Sequence, residues 1–129
     1  MRPRLGRLDR AWERLVTERR AACLREQVEA LRFADGIRTF CAELRSAPTV
    51  AGGEGVRLWL TWAEGYADEI DPRLHPPAVP DDPSPDYDSM APHIDGDWSA
   101  YERRRRWREW RLRSDIGRRF PDPDEIYDE

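Results

Sequence analysis

Two histidines, two cysteines, a scatter of aspartates and one run of arginine and tryptophan are the residues of this chain with chemistry to offer. Nucleophilic catalysis needs a base such as His held within reach of Ser, Cys or Thr. His75 and His93 each sit beside proline in a Pro- and Asp-rich stretch, where no held geometry is expected. Zinc asks for paired ligands such as Cys-x-x-Cys. Cys23 and Cys41 are instead 18 residues apart. On one straight helix that is ~27 Å, too far for a disulfide. They read as two small buried apolar residues in a reducing cytoplasm, with a disulfide between two chains as the other option. Asp81, Asp82, Asp86, Asp88, Asp95 and Asp97 lack the spacing of a calcium loop. Gly52-Gly53-Glu54-Gly55 lacks the Lys and Ser/Thr of a phosphate loop. The reading is a non-enzymatic protein with no catalytic residue, no metal and no cofactor.

The run YERRRRWREWRLR at 101–113 is the constellation with a physical function attached. Arginine neutralises phosphates and releases counterions, and tryptophan stacks on exposed bases. A helix over 98–116 would be ~29 Å long, enough to follow several phosphates. Arg103, Arg104, Arg106, Trp107, Arg108, Trp110 and Arg111 are the nucleic-acid-binding candidates. The competing reading keeps the run at home, either paired with acidic segments of the same chain or docking its Trp rings on the rest of it. All 22 basic residues are Arg, and Lys and Asn are absent. A GC-rich bacterial codon bias produces that pattern, so Arg counts alone carry little weight.

The elements that must position these residues are helices. Over about 5–44, Leu8, Trp12, Leu15 and Val16 form a first apolar stripe, and Cys23, Ala30, Ile37 and Leu44 recur every seven residues. Gln27, Ala34 and Cys41 fill alternate positions, and Leu24, Val28, Leu31, Phe33 and Phe40 widen the face. This predicts one long helix, or two with a joint near 17–20. Gly36 weakens it by roughly 1 kcal/mol relative to Ala, or admits a close neighbour. A second helix is predicted over 55–72, with Val56, Trp59, Leu60, Ala63, Tyr66, Ala67 and Ile70 on its buried stripe and Leu58 and Trp62 off it. The Ala47–Glu54 break, carrying Pro48 and two glycines, folds the two into an antiparallel hairpin. Asp71-Pro72 ends the second helix, because the residue before proline avoids helical backbone.

Pro76, Pro77, Pro80, Pro83, Pro85 and Pro92, interleaved with aspartate, predict an extended, solvated linker over 73–96. A third helix follows at 97–119, capped by Asp95 or Asp97 and stopped at Gly117, with Trp98, Tyr101, Leu112 and Ile116 along one side and Trp107 and Trp110 turned away. The organisation expected is thus a hairpin module at 1–72, the linker, the basic helix, and an acidic tail at 120–129. Charge segregates accordingly. Nine Arg against three acids fall in 98–119, and seven Asp against one Arg in 71–97, under a net charge of only -4. No segment approaches the ~20 apolar residues of a membrane span, and no apolar run follows the first residues as in a secretory signal.

The motif Gln27-x-Glu29-x-x-Arg32-x-Ala34-x-x-Ile37-Arg38, within RRAACLREQVEALRFADGIR at 19–38, precedes WLTWAEGYADEIDP at 59–72. Together they resemble the C-terminal part of a broad set of uncharacterised bacterial proteins, several of which begin with a helix-turn-helix-like region. The resemblance implies a helical hairpin and a bacterial origin, and brings no activity or site with it. This chain departs from the pattern in having no such region before residue 19 and in adding the acidic linker and Arg/Trp helix.

The sequence therefore predicts an all-α protein of the cytoplasm. Two helices leave apolar surface uncovered, so a third element or a second chain should complete the core. The favoured function is a helical interaction module, an adaptor or oligomerisation unit, binding a protein partner or its own copy through Trp12, Leu58 and Trp62. The alternative is a nucleic-acid-binding accessory protein using the Arg/Trp helix.

Overall fold

The computed structural model describes residues 3–48 and 52–121, with side chains from residue 6. The middle of the interhelical break, 49–51, and the acidic segment 122–129 lie outside the described residues. Among those described, all regular structure is helical: α1 (Pro3–Ser46), α2 (Glu54–Ile70), α3 (Tyr87–Met90) with a 3-10 turn (Ala91–His93), α4 (Ala100–Arg113) and α5 (Asp115–Arg119). None of these helices is long and apolar enough to cross a membrane.

The chain forms two compact units. The first takes residues up to Arg20 and those from Asp81 on, and the second is the intervening Ala21–Pro80. The hairpin, the linker and the basic helix are thus not the compact parts. The N-terminal half of the predicted hairpin helix belongs with the linker and α4 instead. The reason is burial: α1 is one uninterrupted helix, but its stripe at Leu8, Ala11, Trp12 and Leu15 packs on Met90, Ile94 and Trp110.

In the second unit, Cys41 of α1 meets Leu60 and Ala63 of α2, edged by Ile37, Leu44 and Val56. Ala34 and Ala67 are fully buried. Small residues on both helices let the backbones approach, which is how Cys41 Sγ reaches the Leu60 carbonyl at 3.8 Å. Gly36 serves no such approach. A Cβ there would meet nothing within 4 Å, so it faces open space. Asp71 closes the hairpin. Its carboxylate is buried, and accepts from Arg73 (N, 2.8 Å; Nε, 3.0 Å; Nη2, 2.9 Å) and from Arg38 Nη1 (2.7 Å). Arg38 also grips Asp68 at 2.8 Å, and Arg73 grips Asp35 at 2.5 Å. Several donors around one buried carboxylate offset its loss of water. Asp35 and Arg38 on α1, and Asp68 and Asp71 at the end of α2, are thereby joined in one ionic clamp.

In the first unit the stretch predicted as an extended, solvated linker is ordered and partly buried. Pro85, Met90 and Ile94 are buried. Arginines of α1 hold it: Arg14 pairs with Asp95 at 2.8 Å and Arg20 with Asp82 at 3.3 Å, and Arg19 Nε donates to the Asp81 carbonyl at 2.6 Å. Gly96 turns the chain with φ +113, a conformation that favours glycine, and a Cβ there would strike the Arg7 guanidinium. The cap of α4 is Ser99, not Asp95 or Asp97: its hydroxyl accepts from the Glu102 N–H at 3.1 Å, the serine-to-glutamate spacing favoured at helix starts. Nor does α4 run on to Gly117. It stops at Ser114, whose hydroxyl caps α5 by accepting from the Gly117 N–H at 2.9 Å. A Cβ on Gly117 would lie 1.9 Å from the Arg111 carbonyl oxygen, so only glycine lets α5 fold back against the end of α4.

Candidate functional site

Two surfaces carry the residues singled out by sequence, one in each unit. Each is assembled by a helix that sorts its aromatic and basic residues between an inner and an outer side.

In α2 the inner side is Leu60, Ala63 and Ala67, and the aromatic residues stand beside it. At roughly 100° per residue, Leu58, Trp59, Trp62 and Tyr66 fall within one roughly 100° sector next to the buried stripe. They are well exposed: Leu58 65%, Trp59 57%, Trp62 58% and Tyr66 37%. The rings form a continuous stack. Trp59 and Trp62 lie 5.3 Å apart at 13°, and Trp62 and Tyr66 lie 5.4 Å apart at 8°. Phe33 of α1 meets Tyr66 edge-on at 6.5 Å, and Phe40, two turns further along the same side of α1, is also exposed. The placement of Leu58 and Trp62 off the buried stripe agrees with the sequence reading. Trp59 and Tyr66, assigned to the buried stripe, are exposed instead. The spacing 59, 62, 66, a three-four alternation, places the three rings along one side of the helix. Trp12 does not join them. It is 4% exposed in the core of the first unit, its ring tilted against Phe120 at 5.5 Å, so it is no surface for a partner.

In α4 the inner side is tryptophan. Trp110 is wholly buried and donates its indole N–H to Asp9 Oδ1 at 2.8 Å. Trp107 donates to the Pro85 carbonyl at 2.9 Å and sets its edge against Tyr87 at 5.7 Å. Neither is an open platform for a base, which corrects their assignment as nucleic-acid-binding rings. The reason is that each indole finds both an apolar wall and an acceptor for its N–H in this unit. Trp98 and Ile116 also pack inward, while Tyr101 and Leu112 are exposed at 80% and 60%. The predicted inner and outer sides are therefore partly exchanged.

The arginines divide in the same way. Arg111 donates to the Pro85 carbonyl at 3.0 Å and the Phe120 carbonyl at 2.7 Å, over the face of Trp107. Arg106 pairs with Glu102 at 3.0 Å and, with Arg7, covers the two ring contacts of Trp98. Arg103 donates to the Trp98 carbonyl at 3.2 Å. These three brace the unit. Arg104, Arg105 and Arg108 point outward, Arg104 lying over the Tyr87 ring at 4.7 Å. Arg105 was not among the sequence candidates, yet it shares the outer side with Arg104 and Arg108.

The ionic clamp shifts its own titration. Hydrogen bonds from Arg73 hold the Asp71 carboxyl well below the usual carboxylate range, against the opposing pull of burial. The Arg14 hydrogen bond likewise lowers Asp95. Both acids are consumed in pairing. An open depression is lined by Arg10, Glu13, Arg14, Thr17 and Glu18, all from α1. Among the described residues no three of His, Cys, Asp and Glu gather as metal ligands would. Set against known protein families, curated proteins and solved structures, the chain matches none.

Proposed function

We propose that the chain is a non-enzymatic helical interaction module that pairs with a second copy of itself through the aromatic flank of its hairpin. The observation that carries this reading is the exposed stack Trp59–Trp62–Tyr66. Aromatic side chains present ~150–250 Å² each. Five of them near half exposure, with Leu58, leave on the order of 600 Å² of apolar surface. That is at the upper end for a soluble monomer's largest patch, and near the ~800 Å² per partner of an ordinary protein interface. The helical seam at 59, 62 and 66 suits another helix, and a two-fold pairing would set each copy's seam on the other's. A different protein bearing a similar helix is the adaptor form of the same reading. Cys23 and Cys41 are free thiols, which suits a reducing cytoplasm, and the resemblance at 19–38 and 59–72 suits a bacterial one.

Size-exclusion chromatography with light scattering at micromolar concentration tests self-pairing. A dimer is expected for the natural chain, and a monomer of unchanged helix content for Trp62→Glu with Leu58→Glu. A strictly monomeric natural chain would overturn it.

A further inference from the structure

The outward side of α4 carries a second surface, independent of the hairpin flank. Tyr101, Arg104, Arg105, Arg108 and Leu112 are all exposed and fall at intervals of three and four along one side of the helix. The two glutamates of α4 are engaged with other arginines. Glu102 pairs with Arg106 and Glu109 with Arg113. Of the aspartates preceding α4, Asp82 pairs with Arg20 and Asp95 with Arg14 of α1. Among the described residues, Arg104, Arg105 and Arg108 have no ion-pair partner, so the strip keeps about three positive charges on a rigid, capped helix.

We propose that Arg104, Arg105 and Arg108 bind the phosphate backbone of duplex nucleic acid without reading its sequence. Charge complementarity names a polyanion, and the disposition of the apolar groups selects among polyanions. A single strand is held by stacking its bases on open rings. Trp107 and Trp110 are turned inward and hydrogen-bonded, leaving Tyr101 as the exposed ring of the strip. A lipid surface takes a helix through a continuous apolar side. Between Tyr101 and Leu112 the outer side of α4 holds only arginine. A duplex asks for neither stacking nor insertion, since its backbone offers one negative charge per ~1.7 Å of axis.

Fluorescence anisotropy of the full chain with a short labelled DNA duplex of mixed sequence tests the proposal. Binding is expected at low salt, with log affinity falling against log salt at a slope of about -2.7, or ~0.9 for each of three phosphate contacts. Arg108→Ala should reduce that slope by about 0.9, and Arg104→Glu with Arg105→Glu and Arg108→Glu should abolish binding. Replacement of all three by Lys should retain it, because a phosphate contact needs the charge more than the fork. Circular dichroism of each variant checks that α4 stays folded. Absence of duplex binding by the natural chain at low salt would overturn the proposal. So would unchanged binding in the triple Glu variant, tighter binding to single strands, or binding confined to vesicles containing anionic lipid. Trp62→Glu with Leu58→Glu serves as the control: it removes self-pairing and leaves the salt slope in place.

Discussion

The two units use tryptophan in opposite ways. In the first, Trp110 and Trp107 face inward, and each indole N–H has an acceptor, Asp9 and the Pro85 carbonyl. In the second, Trp59 and Trp62 face outward and lie against each other. The difference does not lie in the helices that carry them, since α4 is far richer in charge than α2. It lies in what each helix finds beside it. The first unit offers α4 a wall built from α1, Met90, Ile94 and Phe120. The second is a pair of helices, and a pair covers only one side of each. A tryptophan is covered where a third segment supplies apolar area together with an acceptor, and is left exposed where none does.

The sharpest way to break this comparison is Trp110→Ala. It should cost the first unit about 3–5 kcal/mol, the range for removing a buried large aromatic, measured by urea unfolding followed by circular dichroism. A loss below about 1 kcal/mol would mean that the inward ring is not what holds the unit.

Acid should sharpen the contrast. The folded-state pKa of Asp71 is lowered, so its contribution is complete above the unfolded value of about 3.9 and drains away as pH falls below it. Asp95 shifts in the same sense, but it is an exposed partner in a surface pair, which carries little. Amide hydrogen exchange in an acid series should therefore show α2 losing protection before α4, and Asp71→Asn should abolish that ordering by weakening the hairpin already at neutral pH. Simultaneous loss in the natural chain would argue against an ionic clamp peculiar to the second unit.

The smallest effect belongs to Trp62→Ala. At a dilution where single copies prevail, its stability should stay within about 0.5 kcal/mol of the natural chain, as for other exposed positions. A urea midpoint displaced as far as that of Trp110→Ala would erase the distinction between inward and outward tryptophan.

Much of the helical architecture was legible. The period of α1 and α2, the break between them and the stop at Asp71-Pro72 all rest on local rules, and the buried Leu60, Ala63 and Ala67 follow from spacing alone. Trp59 and Tyr66 did not, because they border the buried stripe and nothing local decides which way a border residue leans. The ordering of 81–96 was hidden by composition. Its proline and aspartate are what a solvated spacer contains, and only the distant arginines of α1 reveal it as a strut. The side on which α4 packs was hidden for a related reason. Arginine and tryptophan alternate without a clear apolar period, so the choice fell to Asp9 and Pro85, 101 and 22 residues away in sequence. Gly117 does not stop a helix as its type suggested: Ser114 ends α4 and begins α5, and Gly117 lies within α5.

The burial of Leu8, Trp12 and Leu15 against Met90, Ile94 and Trp110 has a consequence for how the polypeptide is made. A ribosome releases the early stripe long before it has read the codons of its lids. Meanwhile the intervening unit, Ala21–Pro80, already has both of its helices and can assemble. For that interval the growing chain carries a greasy helix with nothing to lie against, and a message truncated before Met90 would leave it so for good.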